Sequence, residues 1–444
     1  MKPASYERQV NLTLSLQTFR KAQVRIMRKR QLWKLYCSVM ALLMMPAAGK
    51  ADVILDWNAI MEATVGAQPP LPQARFAAIT QLAVFEAVNA ITRDYKPYLG
   101  TITAPHSAST EAAAIAAAHK VLREYFPGSA ISLDAARANS LAAIADSPAK
   151  AAGISVGEAS ATAMIAARAN DGSASPAFYL PSSSDPGEWQ PTPGCTAAGG
   201  AFFHWKSVTP FGLRSASQFR LEPPQTLTSG RYTRTFNEVK EVGDVESTER
   251  PPDRAKVALF FAAVSAVAVF NPVARQISAA QGKSLSENAH DFALLNMAIS
   301  DGAVASFDSK YRYNFWRPET AIRAAGQDDN DKTQPNFNFK PLVVTPCFPS
   351  YPSAHATLSN AAREVIEESY GNVHQALTLS NPAVPGVTLN YTNLTQITDD
   401  IDDARVYGGI HFRTDQDAGA KLGRRVGQYV YNQNLRPARG GHGH

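Results

Sequence analysis

Three short segments in the last third of the chain hold most of the polar residues that could carry out chemistry. The first segment reads Lys310-Tyr-Arg-Tyr-Asn-Phe-Trp-Arg317-Pro318. Lys310 and Arg317 are seven residues apart, which is two helical turns, so both cations would point to the same side of a helix. Like charges on one face repel each other unless an anion lies between them. The segment therefore indicates either an anion site or a solvated basic face.

The second segment reads Phe348-Pro-Ser-Tyr-Pro-Ser-Ala-His-Ala-Thr357 and is predicted to open a helix. Pro352 is typical of a helix start, where the exposed backbone amides bind anions. Ser353 would add a hydroxyl group, Ala354 a backbone amide and His355 a side chain that titrates near neutral pH. The alternative is a simple serine N-cap followed by a histidine without a special role.

The third segment runs from Arg405 to Asp415 and contains His411. His411 and Asp415 are four residues apart, so on a helix the carboxylate can accept a hydrogen bond from one ring nitrogen. The other ring nitrogen would then be a nucleophile or a ligand. The alternative is an ordinary surface pair. Together, the three segments predict a cage of three cations, a hydroxyl group, amide donors and two histidines, which suits a tetrahedral oxyanion.

The rest of the sequence predicts an all-α fold that positions these segments. Apolar residues follow helical spacing through most of the chain, alanine is abundant, and the alternating β-branched pattern of strands is almost absent. Residues 171–224 are rich in Pro, Ser and Gly but also in aromatic residues, which favours a packed surface loop over a floppy linker. We therefore expect one large domain of packed helical bundles with long irregular loops, covering residues 52–435. The predicted helices span residues 71–95, 110–126, 132–145, 155–169, 253–270, 286–313, 353–370 and 415–433.

The first 51 residues have the pattern of a secretory signal. Ten basic residues and one acidic residue give a balance of +9, and an apolar run from Leu35 to Ala48 leads to small residues ending at Ala51. This order of charge, apolar core and cleavage site predicts a signal peptide over residues 1–51 and export to the periplasm or the medium. A membrane anchor is the alternative, but 14 apolar residues are fewer than the roughly 17–25 of a spanning helix.

Charge and cysteine content limit the partners of the mature chain. The whole sequence carries +5, so the part after residue 51 carries −4, which argues against nucleic acid as a partner. We expect no membrane span in the mature protein. Cys195 and Cys347 could form one disulfide in an oxidising compartment or remain free thiols. The last residues, 436–444, are predicted to be disordered.

The three segments together resemble the signature shared by vanadium-dependent haloperoxidases and type 2 phosphatidic acid phosphatases. The spellings Asn-Phe-Trp-Arg-Pro, Phe-Pro-Ser-Tyr-Pro-Ser-Ala-His-Ala-Thr and Gly-Ile-His-Phe-Arg-Thr-Asp are most similar to the soluble vanadium chloroperoxidase branch. The sequence Asp56-Trp57-Asn58 resembles the start of the mature proteins of that branch. The resemblance covers residues 52–433, and the three motifs carry it. The matching spacing is Lys310, six residues, Arg317-Pro318; then Pro352-Ser353-Ala354-His355; then Arg405, five residues, His411, three residues, Asp415.

The resemblance implies a role for each motif residue. His411 would bind vanadium axially, or attack phosphorus in a phosphatase, with Asp415 orienting its ring. His355 would be the acid–base group. Asp301, on the preceding helix, is expected to pair with one of the arginines. The remaining cage residues would neutralise or hydrogen-bond the oxyanion: Lys310, Arg317 and Arg405 as cations, and Ser353 and the Ala354 amide as donors.

The sequence departs from the family pattern at two positions. Ala354 stands where the family usually has glycine, and Ala404 stands where it usually has serine. A backbone amide is retained when alanine replaces glycine, provided that the backbone dihedral angles allow a Cβ. The loss of the serine removes at most a peripheral hydroxyl group, so we expect the cage to remain functional.

The motifs alone leave two reactions open, because vanadate and phosphate share shape and charge. The first is a haloperoxidase that binds vanadate and uses hydrogen peroxide to oxidise halide to hypohalous acid, with phosphate as a competitor. The second is a soluble periplasmic acid phosphatase that cleaves a phosphomonoester through a phosphohistidine. Phe307, Trp316 and Phe348 could line a dry halide pocket, which favours the peroxidase, or they could be ordinary core residues. A non-catalytic oxyanion-binding protein is a third alternative.

Overall fold

The computed structural model describes residues 52–438, and within them the fold is all-α with one small hairpin, as the sequence predicts. The predicted signal peptide and residues 439–444 lie outside the described residues. Strands β1, Leu377–Ser380, and β2, Thr388–Tyr391, pair antiparallel with Leu377 opposite Tyr391. The helices are α1 Val53–Val65, α2 Pro70–Thr92, α3 Thr110–Tyr125, α4 Ala130–Ala142, α5 Pro148–Arg168, α6 Gly230–Val242, α7 Pro252–Ala263, α8 Ala266–Gln281, α9 Leu285–Tyr313, α10 Pro318–Arg323, α11 Ala354–Tyr370, α12 Leu394–Tyr407 and α13 Arg413–Gln433.

Helix α9 is the central element, and its 29 residues are buried along most of their length. It begins with a capping box, in which Ser284 and Glu287 satisfy each other's backbone amides. It packs against α2, α11 and α13. Helix α2 is long and apolar enough to cross a membrane, but 89% of its apolar window is buried inside the protein. We therefore interpret α2 as a core helix.

The apolar run from Val257 to Phe270 forms two helices rather than the single predicted helix. Helices α7 and α8 meet at 99° across Val264 and Ser265. Val264 is extended, and the Ser265 side chain accepts a hydrogen bond from the Ala268 amide, which caps α8. The serine that interrupts the apolar run therefore starts a new helix. The bend leaves the last carbonyl groups of α7 without partners within that helix.

Glycines allow α11 and α13 to pack closely and so bring the second and third motifs together. Gly419, Gly423 and Gly427 lie on one face of α13, and backbone oxygens of α11 occupy the space where their Cβ atoms would be. A Cβ on Gly423 would lie 2.3 Å from the Thr357 carbonyl oxygen. The Ser353 amide, just before α11, also donates to the Asp415 carbonyl at 2.9 Å.

Residues 171–224 form a packed loop, as expected from their aromatic side chains. Trp189 and Trp205 are buried. Asp301 of α9 binds the backbone of this loop. The Asp301 carboxylate accepts hydrogen bonds at 2.6–2.8 Å from three consecutive amides, those of Phe211, Gly212 and Leu213. The expectation that Asp301 pairs with a cage arginine is therefore wrong, because its oxygens are occupied by the loop.

Two further contacts tie distant parts of the chain together. Cys195 and Cys347 form a disulfide, so of the two alternatives left open by the sequence the structure has the bonded pair. Residues 436–438, which the sequence predicts to be disordered, instead pair with the backbone of residues 94–96. The Lys96 amide donates to the Arg436 carbonyl at 2.7 Å.

The close packing of α11 and α13 predicts a large penalty for a side chain on Gly423. In Gly423→Ala the new methyl group would overlap a backbone oxygen that cannot move independently of its helix. We expect the free energy of unfolding to fall by about 3 kcal/mol, measured by denaturant titration. Gly230→Ala is the control, because its Cβ would meet only a flexible arginine tip at 3.8 Å; equal losses in both variants would contradict this account.

Candidate active site

The structure brings the three predicted segments together around one buried polar centre. Lys310 lies in the last turn of α9, and Arg405 lies in the last turn of α12. Each helix C-terminus is the end that favours a positive charge. The other predicted residues lie at helix starts or in the first turn: Arg317 before α10, Ser353 before α11, Ala354 and His355 in the first turn of α11, His411 before α13 and Asp415 in the first turn of α13.

Backbone carbonyl groups of residues 348–350 hold two of the three cations. The Lys310 ammonium is fully buried and donates to the carbonyl oxygens of Pro349 at 2.9 Å and Ser350 at 2.7 Å. Arg317 Nε donates to the Phe348 carbonyl at 2.8 Å. The Phe348 ring lies 5.3 Å from the Lys310 nitrogen and 5.0 Å from the Arg317 guanidinium carbon. The second motif therefore fixes both cations of the first motif.

The two arginines keep hydrogen-bond donors free for an anion. Arg317 Nη1 donates to the Ile410 carbonyl at 2.9 Å, and Arg405 Nη1 donates to the Phe261 carbonyl at the open end of α7 at 3.0 Å. Arg317 Nη2 and Arg405 Nε are buried and have no hydrogen-bond partner among the described residues. A buried charged donor without an acceptor is costly. The two arginines thus fit an oxyanion that accepts from both.

His411 is held in one tautomer, in which its Nε2 lone pair accepts a hydrogen bond from Arg317. Its Nδ1 lies 2.9 Å from Asp415 Oδ2, and its Nε2 lies 3.0 Å from Arg317 Nη1. Arginine can only donate, so Nε2 is the acceptor and the ring proton is on Nδ1. Burial, then the charges of Arg317, Lys310 and Arg405, hold the pKa of His411 well below its usual range. His411 is therefore neutral at pH 7 and can act as a ligand or a nucleophile.

Asp415 is fully buried and holds the orientation of that ring. Its Oδ2 also accepts from the Phe412 amide at 3.1 Å. Burial raises the pKa of Asp415 to about 6, against the opposing effects of hydrogen bonds and of Lys310. The carboxylate is therefore ionised at pH 7 and can accept the Nδ1 proton of His411.

His355 faces the same three cations from the first turn of α11. Burial, followed by the charges of Arg405, Lys310 and Arg317, holds the pKa of His355 well below its usual range. The ring is neutral near pH 7 and can accept a proton from a bound reactant. Ser353 uses its hydroxyl oxygen as an N-cap, accepting from the Ala356 amide at 3.4 Å, so its hydroxyl hydrogen remains free to donate.

The two departures from the family pattern fit the structure. Ala354 begins α11 with a helical backbone, so its Cβ is accommodated and its amide remains a free first-turn donor. Ala404 is buried within α12. Neither substitution displaces a cage residue.

Sequence reasoning did not identify the backbone groups or the serine that support the cage. The carbonyl groups of Phe261, Phe348, Pro349 and Ile410 carry no residue-type signal. Ser350 lies inside the second motif but was given no role; its hydroxyl donates to Asp415 Oδ2 at 2.5 Å. The one sequence signal for Ser350 is that it is a small polar residue among the proline and aromatic residues of 348–352.

Comparison with known proteins supports the resemblance. Residues 290–440 match the family model described as the VCPO second helical-bundle domain. Vanadium chloroperoxidase from Curvularia inaequalis is 24% identical over 196 residues, which are 38% of this chain and 32% of that protein. The alignment thus spans about a third of the relative's length. The likeness of the motifs to the vanadium chloroperoxidase branch is confirmed.

Solved structures show that the fold is shared over most of the chain. A bacterial vanadium-dependent iodoperoxidase superposes with a TM-score of 0.72 at 24% identity, covering 88% of this chain and 97% of that one. The apo and holo forms of a bacterial vanadium-dependent chloroperoxidase give TM-scores of 0.67 and 0.66 at 18% and 17% identity. They cover 82% and 88% of this chain and 94% of each solved chain. The helical architecture is therefore that of the vanadium haloperoxidases.

The low pKa of His355 predicts that anion binding takes up protons. A bound dianion offsets the three cations, so the pKa of His355 rises toward its usual range, and affinity increases as the pH falls. Sulfate is the suitable probe because its own charge is constant near neutral pH. We expect calorimetry at pH 6.5 in two buffers of different ionisation enthalpy to show net proton uptake that is reduced in His355→Ala. Equal uptake in both proteins would assign the proton to another group.

The carbonyl cradle around Lys310 predicts that this ammonium is needed for anion binding. Removing it should weaken sulfate binding at least tenfold. The anion would then be held by two charges instead of three, in a site from which water is excluded. Lys310→Ala is compared with Lys421→Ala, an exposed lysine of α13. Calorimetric affinities that fall equally in the two variants would contradict a specific role for Lys310.

Proposed function

We propose that this protein is a vanadate-dependent haloperoxidase that uses hydrogen peroxide to oxidise halide to hypohalous acid. The observation that carries the proposal is that His411 Nε2 lies among three buried cations, two of which keep N–H groups without a partner among the described residues. An oxyanion that can also bind a nitrogen ligand fits this donor set. The motif likeness and the shared fold support the same assignment.

Each cage residue would have a defined part in the reaction. Lys310, Arg317 and Arg405 would neutralise the oxygens of vanadate, and the Ser353 hydroxyl and the Ala354 amide would donate hydrogen bonds. His411 Nε2 would hold the vanadium, with its ring oriented by Asp415. Bound vanadate supplies a Lewis-acidic centre that activates peroxide toward halide without a change in oxidation state.

His355 is the residue suited to move the proton of the incoming peroxide. Its neutral imidazole can accept that proton and later return it, and the neighbouring cations favour the deprotonated oxygen. Phe348 covers Lys310 and Arg317, and Phe307 packs on it at 5.0 Å between ring centroids. These two rings would keep water away from the reacting oxygen. Trp316 packs instead in a separate cluster with Phe236 and Phe412.

A phosphatase reaction in the same cage is the second candidate. The neutral Nε2 of His411 is also the nucleophile that a phosphohistidine mechanism needs. A phosphomonoester would occupy the vanadate position, and His355, which takes up a proton when the dianion binds, would protonate the leaving alcohol. Both reactions use the same residues, so only the reaction assayed separates them.

We also propose that the mature protein is exported to the periplasm or secreted. The basic and apolar order of residues 1–51 supports cleavage after Ala51. The disulfide between Cys195 and Cys347 is consistent with an oxidising compartment. N-terminal sequencing of the protein recovered from the periplasm or the medium would test both parts of this proposal.

The decisive test is bromide and iodide oxidation by the purified mature protein with hydrogen peroxide, before and after incubation with orthovanadate. We expect activity only after vanadate loading and suppression by added phosphate. Absence of halide oxidation at every vanadate concentration, together with hydrolysis of p-nitrophenyl phosphate, would favour the phosphatase.

His411→Ala should abolish vanadate-dependent halide oxidation, because it removes the nitrogen that would hold the vanadium while the three cations remain. His374→Ala is the control, since that histidine lies on the surface after α11. Full activity in His411→Ala would contradict the assignment of this residue as the ligand.

A further inference from the structure

We propose that Ser350 is a positioning residue whose hydroxyl group fixes the Asp415 carboxylate and, through it, the ring of His411. The inference rests on the proposed function, in which His411 Nε2 is the ligand. The Ser350 side chain contacts neither the anion-facing donors nor His411 Nε2; its hydroxyl contacts are with Asp415 Oδ2 and His411 Nδ1. Its effect would therefore be transmitted through Asp415.

The hydrogen bonds that hold the Asp415 carboxylate all end on one of its two oxygens. Three donors converge on Oδ2: the Ser350 hydroxyl at 2.5 Å, the His411 Nδ1–H at 2.9 Å and the Phe412 amide at 3.1 Å. The other oxygen, Oδ1, is buried and has no hydrogen-bond partner among the described residues. Without Ser350 two donors would remain, and both come from the same turn of chain as Asp415. Ser350 is the donor that ties the carboxylate to another part of the structure.

The direction of the Ser350 hydrogen bond agrees with the tautomer of His411. Ser350 Oγ lies 3.3 Å from His411 Nδ1, so its hydrogen has two possible acceptors. Donation to Nδ1 would place the ring proton on Nε2, directly against the Arg317 Nη1 donor. The shorter bond to Asp415 avoids this clash and leaves Nδ1 to donate to the same carboxylate. Ser350 and His411 therefore both donate to Asp415 Oδ2. In this arrangement Ser350 does not donate to Nδ1, and the His411 proton does not lie on Nε2.

The backbone of Ser350 is fixed independently of its side chain. Its amide donates to the Phe315 carbonyl at 2.8 Å, and its carbonyl accepts from Lys310 at 2.7 Å. Ser350→Ala retains both contacts, so the substitution removes the hydroxyl group alone. The cradle for Lys310 should remain, and with it the binding of a simple anion.

The test separates orientation of the ring from binding of charge. Vanadate needs the Nε2 lone pair, whereas sulfate needs only the cations and donors. For Ser350→Ala we expect the vanadate dissociation constant to rise about tenfold, the cost of one hydrogen bond to a charged group, and the sulfate constant to stay within about twofold. In the protein without vanadate, ¹⁵N-histidine NMR should show a shift of the His411 Nδ1 signal, identified by its loss in His411→Ala, because the carboxylate that accepts the Nδ1 proton is no longer fixed by Ser350.

Ser278→Ala is the matched control. Ser278 is equally buried and donates to the Asn288 side-chain oxygen, also at 2.5 Å, but it lies in α8 away from the cage. We expect it to lower thermal stability without changing either binding constant or the His411 signals.

Each outcome decides the inference. Unchanged vanadate affinity and unchanged His411 signals in Ser350→Ala would overturn it, and so would equal losses of vanadate and sulfate affinity, which indicate general loosening of the cage. If the unmodified protein does not bind vanadate, the proposed function fails, and the His411 Nδ1 signal in Ser350→Ala still decides whether Ser350 positions the ring.

Discussion

Three buried cations without an equal number of anions are the constraint on which the site depends. Lys310, Arg317 and Arg405 lose most of their hydration in the core, and among the described residues the Asp415 carboxylate lies close enough to act on the first two. Burial lowers the pKa of each cation, Arg317 to about 9 and Arg405 to about 10. The fold tolerates this arrangement because oriented carbonyl groups replace part of the lost solvent. These carbonyl groups do not neutralise the positive charge of the three side chains, whereas a bound polyanion can neutralise it.

The helices of the site are arranged to supply those carbonyl groups. The bend between α7 and α8 exposes the carbonyl of Phe261 to Arg405, and the segment before α11 presents three successive carbonyl groups to Lys310 and Arg317. The disulfide at Cys347 anchors that segment one residue before Phe348. A carbonyl dipole stabilises a cation but carries no net charge. It therefore competes less than a carboxylate would with an anionic ligand for that cation. Such a cage can be rigid and still bind a tetrahedral oxyanion.

The sequence predicted the convergence of the motifs better than it predicted their supports. Residue types with a strong chemical requirement, such as His411 four residues before Asp415, can be recognised from spacing alone. The break at Ser265 was missed because a serine in an apolar run can be a tolerated core residue or a helix cap. Asp301 was assigned to an arginine because backbone amides, its real partners, are present at every residue and give no signal. For the same reason, the carbonyl groups of Phe261 and Phe348 could not be identified without the structure.

Glycine contacts like those of α13 also join a second pair of helices, which does not carry the cage residues. In the front half, Gly153 and Gly157 of α5 meet backbone oxygens of Ser109 and Ala113, and Ser109 caps α3 as Ser353 caps α11. The same four-residue glycine spacing thus joins two pairs of helices, and only one pair carries the cage. Close helix contact is therefore a property of the scaffold, while the oxyanion site is a local elaboration of it. Engineering a second site would begin from the front pair, where the close helix contact and the serine cap already exist.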